Sequence, residues 1–200
     1  MAARALINED DTSVLPSAVT GSTYQALDYY IQCGQEELNR IAKYHVTDDT
    51  SLTPVVGTQE YALPADCVEV LWIEYNGSPL KKTDETQLRT KNVNWRLDTA
   101  AVIKEYFVYG RKIVLYPAPN ASASGVLTIR YVSTPVDFGT TAFAQLGSQD
   151  HNVPLLYAAS LFLSLHSESA QALQRAQMLN QMFLQSAQRV QAAYAGRGVL

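Results

Sequence analysis

Residues 60–80, EYALPADCVEVLWIEYNGSPL, predict a β-hairpin and with it a β module in the middle of the chain. Pro64 removes a backbone donor and keeps the preceding residue extended, which ends a first short strand. The run at 67–75 carries apolar side chains at both even and odd positions, a pattern typical of a strand covered on both faces. Asn76 and Gly77 tolerate positive φ and therefore predict a two-residue hairpin turn.

Further strands are predicted on both sides of this hairpin. Residues 53–66, TPVVGTQEYALPAD, predict two short strands around a turn at Gly57. Period-two patterns of apolar residues return in three later stretches: 104–109, 112–116 and 126–132. Residues 83–97 predict a short helix and a loop. The middle of the chain, 51–147, is therefore expected to form a small antiparallel β module.

The N-terminal part predicts an arm followed by a helix. Residues 1–20 show no periodicity and include turn-rich sequence, so we expect an extended arm. Helical spacing starts at Ser22, which makes a capping box with Gln25, and continues to residue 44. Gly34 interrupts this helix and indicates a close contact with another element.

Helical spacing returns near residue 150. Asp150 is predicted to cap a helix with Pro154 in its first turn. The apolar run of this helix, 153–165, is too short to span a bilayer, which favours a buried helix. A longer helix begins at 167–169, with glutamine and arginine outside one apolar stripe. The stripe comprises Leu173, Ala176, Leu179, Phe183, Ala187, Val190 and Tyr194.

Together these elements predict an α+β fold. The N-terminal helix and the two C-terminal helices are expected to form a helical bundle, with the small antiparallel β module inserted between them. Gly196 is expected to end the last helix. The expected domains are an arm at 1–20, a helical domain at 21–50 and 148–195, the β domain at 51–147 and a C-terminal tail at 196–200.

No residue pattern in the sequence indicates catalysis, a metal site or a cofactor. His45, His151 and His166 lie at expected helix ends without metal-site spacing, so caps or solvent contacts are expected. The acidic runs at 9–11 and 47–49 lack the glycine and final glutamate of a calcium loop and are expected to be solvated loops. No serine lies in a nucleophile elbow, and neither cysteine has a histidine nearby in sequence. We therefore expect a protein that is not an enzyme.

The charge of the chain argues against direct nucleic-acid binding. The formal net charge is −4 and the pI is near 5.3, and no cluster of Lys and Arg stands out. Tight phosphate binding needs clustered cations, because counterion release drives it. A mildly acidic surface is compatible with DNA that passes without binding.

Several segments, taken in order, resemble the head-to-tail adaptor (head-completion) proteins of tailed bacteriophages. The segments are 60–82, 94–97 (NWRL), 109–135 and 151–165 (HNVPLLYAASLFLSL). Within them the most specific are YALPAD at 61–66, IVLYPAP at 113–119 and LTIRYVSTP at 127–135. Chain length and the helix–β–helix order are also similar to the tail-tubular adaptors of short-tailed phages, whereas no counterpart of the N-terminal arm is identified. The residues that carry the resemblance in the β module are Tyr61, Leu63, Pro64, Asp66, Trp72, Asn76, Gly77, Trp95, Tyr116, Pro117, Arg130 and Tyr131.

The resemblance implies a structural virion protein that works by assembly. It implies a homo-oligomeric ring of twelve copies under the portal protein, which extends the DNA channel and offers a platform to tail nozzle, hub or fibre proteins. Genomic DNA would pass through the lumen without specific binding, no membrane is involved, and assembly takes place in the host cytoplasm. The C-terminal segment of such adaptors reaches the portal, which implies portal contacts, with the last two residues as anchors. These residues are Ala195, Gly196, Arg197, Gly198, Val199 and Leu200.

Two other classes of protein stay open on the residues alone. A tail or baseplate subunit that binds a glycan receptor would also be rich in strands and would bind through exposed aromatic side chains. A small carbohydrate-active enzyme needs paired carboxylates at a defined separation. Glu69, Glu74 and Glu105 lie on predicted strands, and nothing in the sequence pairs them. Glycan binding would support the first class and glycan turnover the second.

Overall fold

The structure is a computed structural model that describes residues 26–121, 124–135, 146–167 and 169–195. The chain divides into two compact units. One comprises residues 1–45 and 134–200 and is helical in its described part, and the other comprises residues 46–133 and consists mainly of strands. The predicted α+β class is therefore confirmed. The β unit runs from Val46 to Ser133, whereas sequence analysis placed its limits at 51 and 147.

Four α-helices occur in the described residues, and three of them build the helical unit. In chain order they are α1 (Ala26–Ala42), α2 (Glu85–Lys91), α3 (Val153–His166) and α4 (Ala170–Tyr194). Apolar side chains of α1, α3 and α4 share one core, in which Leu38 and Phe183 are fully buried. Helix α1 ends two residues before its predicted end, because Lys43 takes a positive φ of 49°. The predicted stripe of α4 is buried from Ala176 to Val190.

Helices α1 and α3 approach each other closely at Gly34. A Cβ at this position would overlap the backbone carbonyl of Pro154, in the first turn of α3. The close contact predicted from the glycine is therefore confirmed. No helix in the described residues is both long and apolar enough to cross a membrane.

The predicted cap at Asp150 is wrong. Residues Ser148–Asp150 form a 3-10 turn, and Asn152 is the N-cap of α3. The buried Asp150 carboxylate instead accepts a hydrogen bond from Arg189 Nη2 of α4 at 3.1 Å. The carboxylate thus ties the segment before α3 to the C-terminal half of α4. The capping box at Ser22 and the arm before it lie outside the described residues.

Two four-stranded sheets and one two-stranded sheet form the β unit. In chain order the strands are β1 (Val46–Asp49), β2 (Glu60–Ala62), β3 (Cys67–Tyr75), β4 (Ser78–Pro79), β5 (Lys81–Lys82), β6 (Thr99–Ala100), β7 (Glu105–Tyr109), β8 (Lys112–Tyr116), β9 (Ala118–Pro119) and β10 (Leu127–Ser133). The first sheet has the order β1-β10-β3-β4, the second β2-β8-β7-β5, and β6 pairs with β9. The two larger sheets share one core, with Ile73, Leu115 and Ile129 fully buried.

Strand β3 is not covered on both faces as predicted. Its pairing with β10 contains two register shifts, each of which leaves one extra residue, Leu71 and Val68, on β3. The buried positions therefore fall at Tyr75, Ile73, Val70 and Cys67, while Val68 is 57% exposed. The apolar run therefore has only one buried face. At each register shift, the positions that point into the core move by one residue along β3.

Strands β7 and β8 are the ones covered on both faces. Tyr106 and Leu115 belong to the core shared by the two larger sheets. Phe107 and Val114 face the other way and join a second cluster with Trp95, from the 3-10 turn Trp95–Leu97, and one residue of α2. This double cover explains the continuous burial along the middle of β8.

The predicted hairpin turn is confirmed, since Asn76 and Gly77 have φ values of 52° and 73° and Tyr75 pairs with Ser78. Two other expectations are wrong. Residues 53–55, which the structure describes, form no strand ahead of the turn at Gly57. The β unit also contains parallel pairs, β5 with β7 and β6 with β9. The first of these arises because the chain between β5 and β7 crosses over through α2.

Candidate functional site

A ladder of three side chains, Asp48, Arg130 and Trp72, crosses the first sheet on the face away from the core. The strand register places Asp48 of β1 opposite Arg130 of β10, and Arg130 opposite Trp72 of β3. Arg130 donates from Nε and Nη2 to the two oxygens of Asp48, both at 2.7 Å. Its guanidinium carbon lies 4.7 Å from the centre of the Trp72 ring. The ladder therefore joins three neighbouring strands.

The two charges of the ladder stabilise each other. The hydrogen bonds from Arg130 lower the pKa of Asp48, and the same bonds raise the pKa of Arg130. Both side chains are partly exposed, so solvent screens part of this attraction. The expectation of a solvated loop at 47–49 is wrong, because these residues belong to β1 and all three pair with β10.

Arg111 fastens the YALPAD segment to the second sheet. Its Nη2 donates to the carbonyl oxygens of Pro64 at 2.7 Å and Ala65 at 2.9 Å. Its own carbonyl accepts from the backbone N of Leu63 at 3.0 Å. One arginine thus holds the turn between β2 and β3 through both its side chain and its backbone.

The same segment is also bonded to the first sheet. The Tyr131 hydroxyl of β10 donates to Asp66 Oδ1 at 3.1 Å. Burial, and after it this hydrogen bond, raises the pKa of Tyr131 to about 12. The Tyr61 hydroxyl accepts from the backbone N of Val55 at 2.8 Å and donates to Thr58 O at 3.0 Å. The first and last residues of YALPAD therefore each anchor a different loop or strand.

The remaining motif residues fix a loop and the second cluster. Asn76 Nδ2 donates to the Ser124 carbonyl at 3.0 Å. Trp95 packs edge-on against Tyr116, with ring centres 6.3 Å apart. The Tyr116 hydroxyl donates to Asp98 Oδ2 at 2.7 Å, and this bond raises the pKa of Tyr116. Pro117 follows Tyr116 through a cis peptide bond. The motif residues of the β unit thus form a bonded frame.

The histidines bond to neighbouring protein groups. His166 Nε2 lies 2.6 Å from the Tyr30 hydroxyl, which links α3 to α1. His151 Nε2 lies 3.1 Å from the Leu146 carbonyl oxygen. Among the residues that the structure describes, no group of three His, Cys, Asp or Glu side chains could hold a metal ion. Of the carboxylates considered in the sequence, Glu69 and Glu74 lie on β3 in the first sheet, and Glu105 lies on β7 in the second sheet.

Helix α4 has a solvent face with very few charges. Its 25 residues include seven exposed glutamines and no Asp or Glu. Met178, Met182 and Leu184 on this face are 53%, 46% and 44% exposed. Large exposed apolar side chains with few charges between them are features of protein–protein interfaces.

A groove runs between α3 and α4 beside that face. It has a volume of about 350 Å³, and its lining is mostly apolar and contains no charged side chain. Residues of both helices line it, among them Tyr157, Leu161 and Leu173. The helical unit therefore offers a surface with few charges that is wider than α4 alone.

A comparison with protein families identifies the family to which the chain belongs. A family model described as SU10 adaptor protein matches residues 1–199. This chain belongs to the SU10 adaptor protein family. The resemblance to phage head-to-tail adaptors is thereby confirmed. The match includes the N-terminal arm, for which the sequence alone identified no counterpart. A search of curated proteins found no match.

Membership in the SU10 adaptor family makes the chain a phage structural protein and a component of the virion. Adaptor proteins of this kind interact with other head and tail proteins of the phage. Of the six C-terminal residues implied in portal contact, Ala195 is exposed directly after α4. The other five, 196–200, lie outside the described residues.

Sequence analysis of this SU10 adaptor missed Asp48, Arg111 and the exposed apolar side chains of α4. Asp48 and Arg111 have partners 82 and 47 residues away, and no local pattern indicates such pairs. The face of α4 left a signal, because glutamine stands where a solvated helix usually carries Glu and Lys. That composition predicts a helix face that packs against another protein.

Proposed function

We propose that this SU10 adaptor protein forms a closed ring beneath the portal protein, extends the DNA channel and provides the platform to which the tail attaches. The observation that carries the proposal is the family match over residues 1–199. A ring of twelve copies follows from the resemblance to head-to-tail adaptors. Each copy presents different patches to its two neighbours, a heterologous contact that closes by rotation.

In this proposal the helical unit forms the wall of the ring. Its three helices act as a bundle, which is supported by the single core that α1, α3 and α4 share. The solvent face of α4, which has few charges, suits contact with neighbouring copies. The β unit has a core of its own and meets the nozzle, hub or fibre proteins of the tail.

The proposed portal anchor is the C-terminal segment, residues 195–200. Val199 and Leu200 fit an apolar groove of the portal, and Arg197 fits an acidic group beside it. The net charge of −4 supports a lumen that does not retain DNA. Replacement of acidic lumen residues by lysine is then expected to slow DNA ejection, because phosphate contacts form.

The test is the mass of the purified protein, alone and mixed with the cognate portal ring, measured by native mass spectrometry with negative-stain images. We expect the portal to gain many copies of the 22.0 kDa chain and a stacked ring to appear. A variant that lacks residues 196–200 is expected to lose this gain, whereas Arg197→Lys, which keeps the charge, retains most of it. A wild-type protein that stays monomeric beside an unchanged portal contradicts the proposal, and a glycan array then tests receptor binding.

A further inference from the structure

The exposed apolar residues of α4 form two separate flanks. One flank contains Leu173 and Leu184, and Leu173 also lines the groove between α3 and α4. The other contains Met178 and Met182, which we call the methionine flank. At about 100° per residue, the mean directions of the two pairs differ by about 150° across the solvent side of the helix. The buried stripe centred on Phe183 lies between them on the other side.

Two different flanks on nearly opposite sides of one helix do not suit a two-fold dimer. A two-fold contact uses the same patch on both partners, whereas a heterologous contact joins two different patches. A separation that approaches 180° places the two neighbours on either side of the subunit, as in a ring of many copies. The occupant that the geometry favours for each flank is therefore the other flank of a second copy.

The chemistry of the two surfaces is complementary. The groove beside Leu173 and Leu161 is mostly apolar and contains no charged side chain, and methionine is the side chain that adapts best to an irregular apolar surface. Charged side chains are depleted at the centre of protein–protein interfaces. The groove lining contains none, and the centre of the methionine flank consists of two methionines.

Two cations of α4 lie on the side of the methionine flank. Arg175 precedes Met178 by one turn and forms no ion pair with any residue that the structure describes. Arg189 follows Met182 by two turns and donates to the buried Asp150 carboxylate of its own subunit. The methionine pair is therefore bordered by one arginine that has no ion pair in the described part of the chain.

We propose that the methionine flank of one copy packs into the α3–α4 groove of the next copy. This inference rests on the proposed function, because it names the contact by which copies of the adaptor meet. It assigns a direction to the ring, since every subunit donates methionines on one side and receives them on the other.

Disulfide trapping tests the contact. Met182→Cys and Leu161→Cys are combined in a full-length chain with Cys33→Ser and Cys67→Ala, mixed with the portal and oxidised. We expect a ladder of covalent multimers up to the closed ring, and monomer alone from each single-cysteine variant. The matched control combines Met182→Cys with Gln174→Cys, an exposed position between the two flanks, and is expected to give no ladder.

Three results overturn the proposal. Dimers from Met182→Cys alone would indicate a two-fold contact, no ladder in any sample would remove the contact, and a ladder of equal yield from the control pair would show unspecific collision. A ladder without portal association supports the contact and contradicts the adaptor position. Portal association without a ladder does the reverse.

Discussion

Arg130 holds the Asp48 carboxylate through two parallel hydrogen bonds of 2.7 Å, although the two residues are 82 positions apart in sequence. A planar guanidinium bound in this way fixes orientation as well as charge. Because Asp48 lies on the edge strand β1, the contact fastens the first strand of the β unit to its central strand, β10.

Replacement of Arg130 by lysine keeps the positive charge and removes the planar guanidinium that forms two parallel hydrogen bonds with Asp48. We expect the free energy of unfolding of the β unit to fall by about 1 kcal/mol, since the pair is partly exposed and the stacking on Trp72 is lost. Urea unfolding followed by tryptophan fluorescence reports this unit, because both tryptophans lie in it. The control Arg89→Lys, in an exposed pair with Glu85 on α2, is expected to change stability little. Equal losses of unfolding free energy in both variants would show that the two parallel hydrogen bonds from Arg130 contribute no more than an ordinary exposed ion pair.

The Asp48 pair also predicts a dependence of stability on pH. The pKa of Asp48 is lowered in the folded state, so its contribution is present above the unfolded pKa of about 3.9 and is lost as pH falls through the folded value. The difference in unfolding free energy between wild type and Asp48→Asn is therefore expected to be constant near neutral pH and to shrink below about pH 4. Urea unfolding at several pH values measures it. A difference that grows with acid would give the opposite sign and contradict the assignment.

Much of the fold could be predicted because its signals are local. The Asn76-Gly77 turn, the strands that became β7, β8 and β10, and the buried stripe of α4 each depend on residues a few positions apart. The cap at Asp150 failed for a different reason. Its carboxylate could accept hydrogen bonds from nearby backbone N–H groups or from Arg189. It accepts from Arg189, a partner 39 residues away that no local pattern indicates.

The assembly surface could be predicted only in part, because burial is relative to partners that the sequence does not name. The stripe around Phe183 follows from helical periodicity, and that inference succeeded. Met178 and Met182 look like ordinary solvent positions until the three helices are packed, when they are left exposed. The two register shifts of β3 could not be predicted for the same reason, since only the pairing with β10 determines which residue of β3 is extra.

Replacement of Gly34 by alanine is expected to destabilise the helical unit. In an isolated helix this change would stabilise by about 1 kcal/mol, because alanine is the better helix former. Here the new methyl group would overlap the backbone of Pro154, which cannot rotate away as a side chain would. We therefore expect a net loss of about 1 to 3 kcal/mol, measured by urea unfolding followed by far-ultraviolet circular dichroism. Gln174→Ala, at an exposed position of α4, is the control and should show no loss.

Replacement of Arg111 by alanine is expected to loosen the turn between β2 and β3. The guanidinium donates to two carbonyl oxygens of that turn and is itself exposed, so we expect a loss of about 1 kcal/mol rather than more. The local readout is sharper: the backbone N of Cys67 donates to Pro64 O at 3.1 Å, and its hydrogen exchange should accelerate. Lys112→Ala removes the neighbouring cation, whose exposed ion pair with Glu60 contributes little, and should leave that amide protected. Equal exchange in the two variants would mean that the turn is held by its backbone bonds alone.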